Sequence, residues 1–273
     1  MPNLNKTNMQ KKINSLAAFF PLIVILACFA VSYCIFEFFL GNSANFVDEL
    51  REKPKNGSIL AIMYKGGFLV PIILTMLLMT LVFSVERIFT LMKAKGKGNV
   101  VNFVRQVQYH LTENNIDAAE AECDKQQGSV ANVIKNGLRK YREMMDNKDL
   151  THEQKVLAIQ KEIEETTALE LPMLQQNLPF IATIAPLGTL AGLIGTVFGM
   201  IRSFAAMGNS GAADSVALSV GISEALVNTA TGIITSALSI IAYNFFSHQI
   251  DSLTFMIDEV GYSITKTFDS RFN

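Results

Sequence analysis

SVALSVGISEALVNTATGIITSALSIIAYNFFS, residues 215–247, is a run of 33 residues that holds one charged side chain, Glu224. As a helix it would extend about 50 Å at 1.5 Å per residue, well beyond a hydrocarbon core of about 30 Å. Upstream, residues 171–201 form a second run of 31 residues without any charge. The link between them, near residues 207–214, is short and rich in Gly, Ala and Asn. Two such runs joined by so short a link predict an antiparallel helical hairpin whose arms protrude from the bilayer.

Working outward, two more apolar runs precede the hairpin. Residues 15–40 carry only Glu37, near their end, and residues 66–85 are uncharged before Glu86–Arg87 and a further apolar segment to Met92. Charged residues make up 17% of the 273, below the roughly 25% of an ordinary soluble domain, and they gather between the four runs. The expectation is an all-α integral membrane bundle with four transmembrane helices. The first run, preceded by Lys6, Lys11 and Lys12, is too long for a cleaved signal peptide and reads as a retained anchor. Lys93, Lys95 and Lys97 follow the second run, and no acidic residue intervenes before Glu113. That basic flank places the end of the second helix, and with it both termini, in the cytoplasm.

The expected organisation is a tail at 1–14, spans at 15–40 and 66–92, an outer loop at 41–65, a cytoplasmic helical domain at 93–170, spans at 171–207 and 215–250 around an outer turn at 208–214, and a cytoplasmic tail at 251–273. Within 93–170, Asn99 can cap a helix carrying Val100, Val104, Val107 and Leu111 on one face. Gly128 marks a break, and Val130, Val133, Ile134, Gly137, Leu138 and Tyr141 mark the next helix. Thr151 and Gln154 have the spacing of a capping box for a further one.

Cys28, Cys34 and Cys123 include no CxxC pair and read as unpaired packing residues; His110, His152 and His248 share no ligand spacing. No metal or cofactor is expected. A net charge of −1 gives no nucleic-acid footprint, and no nucleophile–base set or phosphate loop suggests an enzyme.

The chemistry concentrates in the hairpin. Gly188, Gly192, Gly195 and Gly199 form one seam of small residues, which in lipid lets helix backbones approach closely within a bundle or an oligomer. Thr189, Thr196 and Ser203 recur every seven residues. On the other arm Glu224, Asn228, Thr231, Thr235 and Ser239 form a polar stripe, with Thr229 and Ser236 on its edge. Polar groups at this depth face a bundle interior or a water-filled path. Counted from the link, Thr196, Glu224 and Thr229 lie about 20–27 Å along their helices, inside the bilayer. For Glu224 three readings stand: it carries protons, it organises water along a pore, or it is a structural hydrogen-bonding group. For Thr196 and Thr229 the alternative to pore lining is a bond back to a carbonyl of their own helix. Pro172, Pro179 and Pro186, seven residues apart, predict kinks where the third span enters the membrane. Glu37 is expected to reach the headgroups, Glu86–Arg87 to form a local pair, and Arg202 and Asp214 to anchor the outer turn at the headgroups.

The motifs GTVFGM at 195–200, followed by IRSF, and GISEALVNTATG at 221–232, followed by AYNFF at 242–246, resemble the MotA/TolQ/ExbB proton-channel family, in particular its ExbB branch. The resemblance covers about fifty residues as motif and, as architecture, most of the chain after Gly66. It implies a homo-oligomer, a pentamer in this family, in a bacterial inner membrane, with 41–65 and 208–214 in the periplasm. It implies ExbD-like single-span partners in a central lumen, and a TonB-like protein through which the proton motive force drives outer-membrane import. The lumen threonines of the family match Thr196 and Thr229, and its glutamate matches Glu224. A TolQ-like or other stator role with a different load, and a non-conducting scaffold, are the alternatives. The helix at 15–40 is additional to the three-span pattern of ExbB relatives.

Overall fold

The structure is a computed structural model and describes residues 19, 21–48, 51, 54, 55, 57–210 and 215–272. The predicted tail at 1–14 and the link at 211–214, with Asp214, lie outside the described residues. Helix α1 spans Pro21–Leu40 and ends in a π-helical segment, Ile35–Leu40. A 3-10 turn at Ser43–Asn45 and α2 (Ile59–Tyr64) follow. Then come α3 (Leu69–Lys95), α4 (Val100–Thr112), α5 (Ile116–Gln126), α6 (Gly128–Asp146), α7 (His152–Gln175), α8 (Leu178–Ser210) and α9 (Ser215–Phe272). Among the described residues four helical segments are long and apolar enough to cross a membrane, beginning at Pro21, Leu69, Leu178 and Leu218. The chain divides into two compact units, residues 1–84 with 179–243 and residues 85–178 with 244–273.

In the first unit the glycine seam does its work inside one hairpin. A methyl group on Gly192 would stand 3.0 Å from the Asn228 carbonyl oxygen, and one on Gly188 3.0 Å from that of Gly232. The seam therefore brings α8 onto α9 backbone to backbone, where dispersion contacts hold helices that hydrophobicity alone does not hold in lipid. Hydroxyls reinforce it: Thr229 donates to the Gly192 carbonyl (3.1 Å) and Ser236 to that of Ala185. The start of α3 is tied to α1 by Ser32, whose hydroxyl donates to the Pro71 carbonyl at 2.6 Å. Phe83 of α3 stacks on Phe180 of α8 with ring centroids 5.2 Å apart. The outward face of α1, with Leu22, Ile23, Leu26 and Phe29, is exposed and apolar, as a lipid-facing span requires.

The described residues of the 41–65 loop are tied together by side chains. Arg51 donates to the Glu37 carboxylate (2.8 Å) and to the Tyr64 hydroxyl (3.1 Å), so Glu37 has a protein partner. Tyr64 stacks on Phe36 and meets Phe46 edge-on.

The second unit has a conventional apolar core. Asn99 caps α4 and the Thr151–Gln154 capping box opens α7, both as the sequence predicts. Val130, Val133, Ile134, Gly137, Leu138 and Tyr141 of α6 are all buried. Arg87 pairs with Glu86, as expected, and is itself 1% exposed because it also donates to the Leu174 carbonyl at 2.9 Å.

Two expectations are corrected. The uncharged run 171–201 is not one helix. It breaks at Gln176–Asn177, where Asn177 adopts a φ of +65°. Pro172 stays inside α7 and Pro186 inside α8, whereas Pro179 falls in the first turn of α8, where a missing N–H leaves no bond unmade. The helix long and apolar enough to cross a membrane thus begins at Leu178. Residues 251–273 are also not a plain tail: α9 continues as helix to Phe272. Its Phe246, Ile250, Leu253, Ile257, Val260, Ile264 and Phe268 are buried, spaced three or four residues apart along one face.

Candidate functional site

The polar residues of the hairpin separate onto two faces. Ser203, Glu224, Asn228, Thr235, Ser236 and Ser239 are buried, Thr229 and Thr231 are partly covered, and Thr189 is exposed. Most of the buried set bonds to protein, whereas Asn228 Oδ1 is buried without a hydrogen-bond partner. Thr235 and Thr231 bond back to carbonyls of their own helix, at Thr231 and Val227. Ser203 does the same to Gly199. Ser239 lies 2.7 Å from the Thr80 hydroxyl of α3. Asn228 donates from Nδ2 to the Gly66 carbonyl at 2.8 Å.

Glu224 sits among this buried set. Its Oε1 accepts from Arg202 Nη1 at 2.6 Å, with the Glu224 side chain 12% and the Arg202 side chain 52% exposed. The Arg202 guanidinium also lies 5.7 Å from the centre of the Phe68 ring, and Phe68 meets Phe198 edge-on at 6.0 Å. Against the carboxylate lies Gly67, with a φ of +74°; a methyl group there would collide with Oε1. Both the backbone conformation and the close approach require glycine at this position. Arg202, expected to anchor the outer turn, pairs with Glu224, and the pairing has a simple cause. An unpartnered carboxylate in an apolar surround is costly, and Arg202 is within reach across the hairpin.

Thr196 occupies the other face. Its hydroxyl donates back to the Leu193 carbonyl at 2.6 Å, and with Val197, Met200, Ile201 and Phe204 it lines an open groove of about 510 Å³. Thr229, bonded to Gly192, sits one turn along the hairpin from Thr196. The structure thus brings Thr229 to the α8 backbone near Thr196, and Glu224 to Arg202.

Sequence reasoning missed Gly66, Gly67, Phe68 and Arg202 as parts of this cluster. A signal existed: Arg202 lies nine residues before 211 and Glu224 ten after 214, so a turn at 211–214 brings them close to opposite each other.

Among the described residues no cluster of three or more His, Cys, Asp or Glu side chains could hold a metal ion. The arrangement offers charge pairing, hydroxyl and amide hydrogen bonds, and an apolar groove with one hydroxyl.

Residues 125–259 match the model of the MotA/TolQ/ExbB proton channel family. An ExbB-like biopolymer transport protein of Synechocystis is 37% identical over 86 residues, 31% of this chain and 41% of the relative. The Tol-Pal system protein TolQ of Pseudomonas aeruginosa is 27% identical over 124 residues, 45% of this chain and 54% of the relative. The biopolymer transport protein ExbB of Salmonella typhimurium is 32% identical over 82 residues, 30% and 34% of the two chains. The chain therefore spans 34% to 54% of the length of these relatives. Residues 125–259, which include both the GTVFGM and the GISEALVNTATG helices, are thus a domain of the MotA/TolQ/ExbB proton channel family.

Proposed function

We propose that this protein is an ExbB-like wall subunit of a proton-driven complex in a bacterial inner membrane. In this reading several copies, a pentamer by family resemblance, surround a lumen to which the α8–α9 hairpin turns Thr196 and Thr229. An ExbD-like single-span partner occupies the lumen, and a TonB-like protein carries the stroke to outer-membrane import. Both termini lie in the cytoplasm. The observation that carries this reading is the face of α8 with Thr196 set among Val197, Met200, Ile201 and Phe204, open and uncovered, on the segment matched to the family. It offers an apolar surface for a partner helix and one hydroxyl for water or a proton-carrying group.

Each proton crossing is worth about 2.3 kcal/mol per 100 mV, so a large conformational stroke needs several. The test is the double substitution Thr196→Val with Thr229→Val, which keeps size and removes both hydroxyls. It is expected to abolish proton-motive-force-dependent import while the complex still co-purifies; import at the normal rate would remove the channel reading.

A TolQ-like role has specific support, since the TolQ match runs over 124 residues and the ExbB-like match over 86. The load is decided by which proteins co-purify with the full chain from its native membrane.

A further inference from the structure

We infer that Glu224 and Arg202 form a charged latch that positions the outer end of the hairpin against the turn opening α3, with Glu224 acting as a fixed partner and not as a group that passes protons. The inference rests on the channel-wall reading above and deepens it by giving Glu224 a role distinct from the lumen threonines.

Four observations support it. Glu224 Oε1 is 2.6 Å from Arg202 Nη1, a charge-assisted bond between α9 and α8. The carboxylate is only 12% exposed and lies against Gly67, where no side chain could be accommodated. The guanidinium is held over Phe68, which itself rests on Phe198. One helical turn along from Glu224, Asn228 binds the Gly66 carbonyl, so the same turn is gripped twice from α9. The groove that carries Thr196 runs along another side of α8: at 100° per residue, Arg202 points about 100–140° away from Ile201 and Val197. A carboxylate held between an arginine and a glycine turn, on a different side of α8 from that groove, is well placed to fix the hairpin. Arg202 and Glu224 are thus positioning residues.

A latch depends on the pair, whereas proton carriage depends on a carboxyl at position 224. The experiment places five variants of the full chain in its native membrane: Glu224→Arg, Arg202→Glu, the charge swap combining both, the amide pair Arg202→Gln with Glu224→Gln, and Thr196→Val with Thr229→Val. Import driven by the proton motive force and the melting temperature of the purified chain are both read. Each charge-reversing single variant is expected to lose import at least about tenfold, because it sets two like charges face to face, the one at 224 largely covered. The swap and the amide pair are expected to return import to within about threefold of normal, and the swap to restore the melting temperature lost by the singles. Import that stays lost in both the swap and the amide pair, with the complex assembled, overturns the latch and assigns Glu224 a chemical role of its own. Singles that fail to fold still test the idea, because a swap that does not recover folding overturns it. Normal import by the threonine variant instead defeats the channel-wall reading, and the melting temperatures then decide the latch alone.

Discussion

Asn228 of α9 donates from Nδ2 to the carbonyl oxygen of Gly66, 2.8 Å away in a buried site. Gly66 lies in the turn before α3 begins at Leu69, so an α9 amide supplies a donor to a backbone acceptor in that turn. Replacing Asn228 with Leu keeps the branched heavy-atom shape and leaves that acceptor dry. The expected result is a loss of about 1–2 kcal/mol, read as a lower melting temperature in detergent. A variant as stable as the parent would mean the bond contributes nothing.

Gly232 offers a sharper test of the hairpin seam. A methyl group there would stand 2.5 Å from the Gly188 carbonyl oxygen and 2.8 Å from Gly192 Cα, both backbone atoms that cannot rotate aside. Alanine gains about 0.8–1 kcal/mol over glycine in helix propensity, and the forced separation of α8 and α9 is expected to outweigh it. Gly232→Ala should destabilise by about 1–3 kcal/mol. Gly261→Ala is the control, since its nearest neighbour is the flexible Ile163 side chain at 3.1 Å, and the net change there should stay within about 1 kcal/mol.

The helical class and the hairpin were legible because charge depletion and length are local properties of the chain. The caps at Asn99 and Thr151 were legible for the same reason, since each involves only residues within one turn. The break at Asn177 was harder. An uncharged run shows no boundary, and the cue was an asparagine, which tolerates the left-handed region, lying between Pro172 and Pro179. The polar stripe left a choice between bundle interior and water open, for a different reason. Periodicity shows which hydroxyls share a face, but Ser236 is satisfied by the Ala185 carbonyl and Ser239 by Thr80, partners that no spacing reveals. A stripe turned toward water and a stripe turned toward a neighbouring helix have the same sequence.

Cys123 gives a prediction about the second unit. Burial, with the Asp124 carboxylate beside it, pushes its thiol up to about 12. The reactive form is the thiolate, so at pH 8 only about one thiol in ten thousand is available, and at pH 9 about one in a thousand. Rising pH favours reaction, but over this range the folded protein should leave Cys123 unmodified by iodoacetamide. Denaturation should make it react as an ordinary cysteine. Mass spectrometry of its peptide reads both states, and rapid native labelling would contradict the buried placement.

The C-terminal part of α9 carries the last prediction. Leu253, Ile257, Val260, Ile264 and Phe268 are no more than 2% exposed, and Phe268 meets Tyr141 of α6 edge-on at 4.9 Å. Residues 251–273 carry enough charge to read as a tail, yet their apolar positions repeat on one face and complete the core of the second unit. A solvated tail can be removed without penalty, whereas a core helix cannot. Ile257→Ala is expected to destabilise by about 2–5 kcal/mol through the cavity it leaves. Ending the chain after Ile250 exposes the apolar residues of α6 and α7 that this helix covers, so the truncated protein should be degraded or aggregate in the host. Tyr262, on the exposed side of the same helix, serves as the reference: Tyr262→Ala should stay within about 0.5 kcal/mol. Equal tolerance of Ile257→Ala and Tyr262→Ala, measured by thermal unfolding of the purified chain, would return residues 251–273 to the status of a tail.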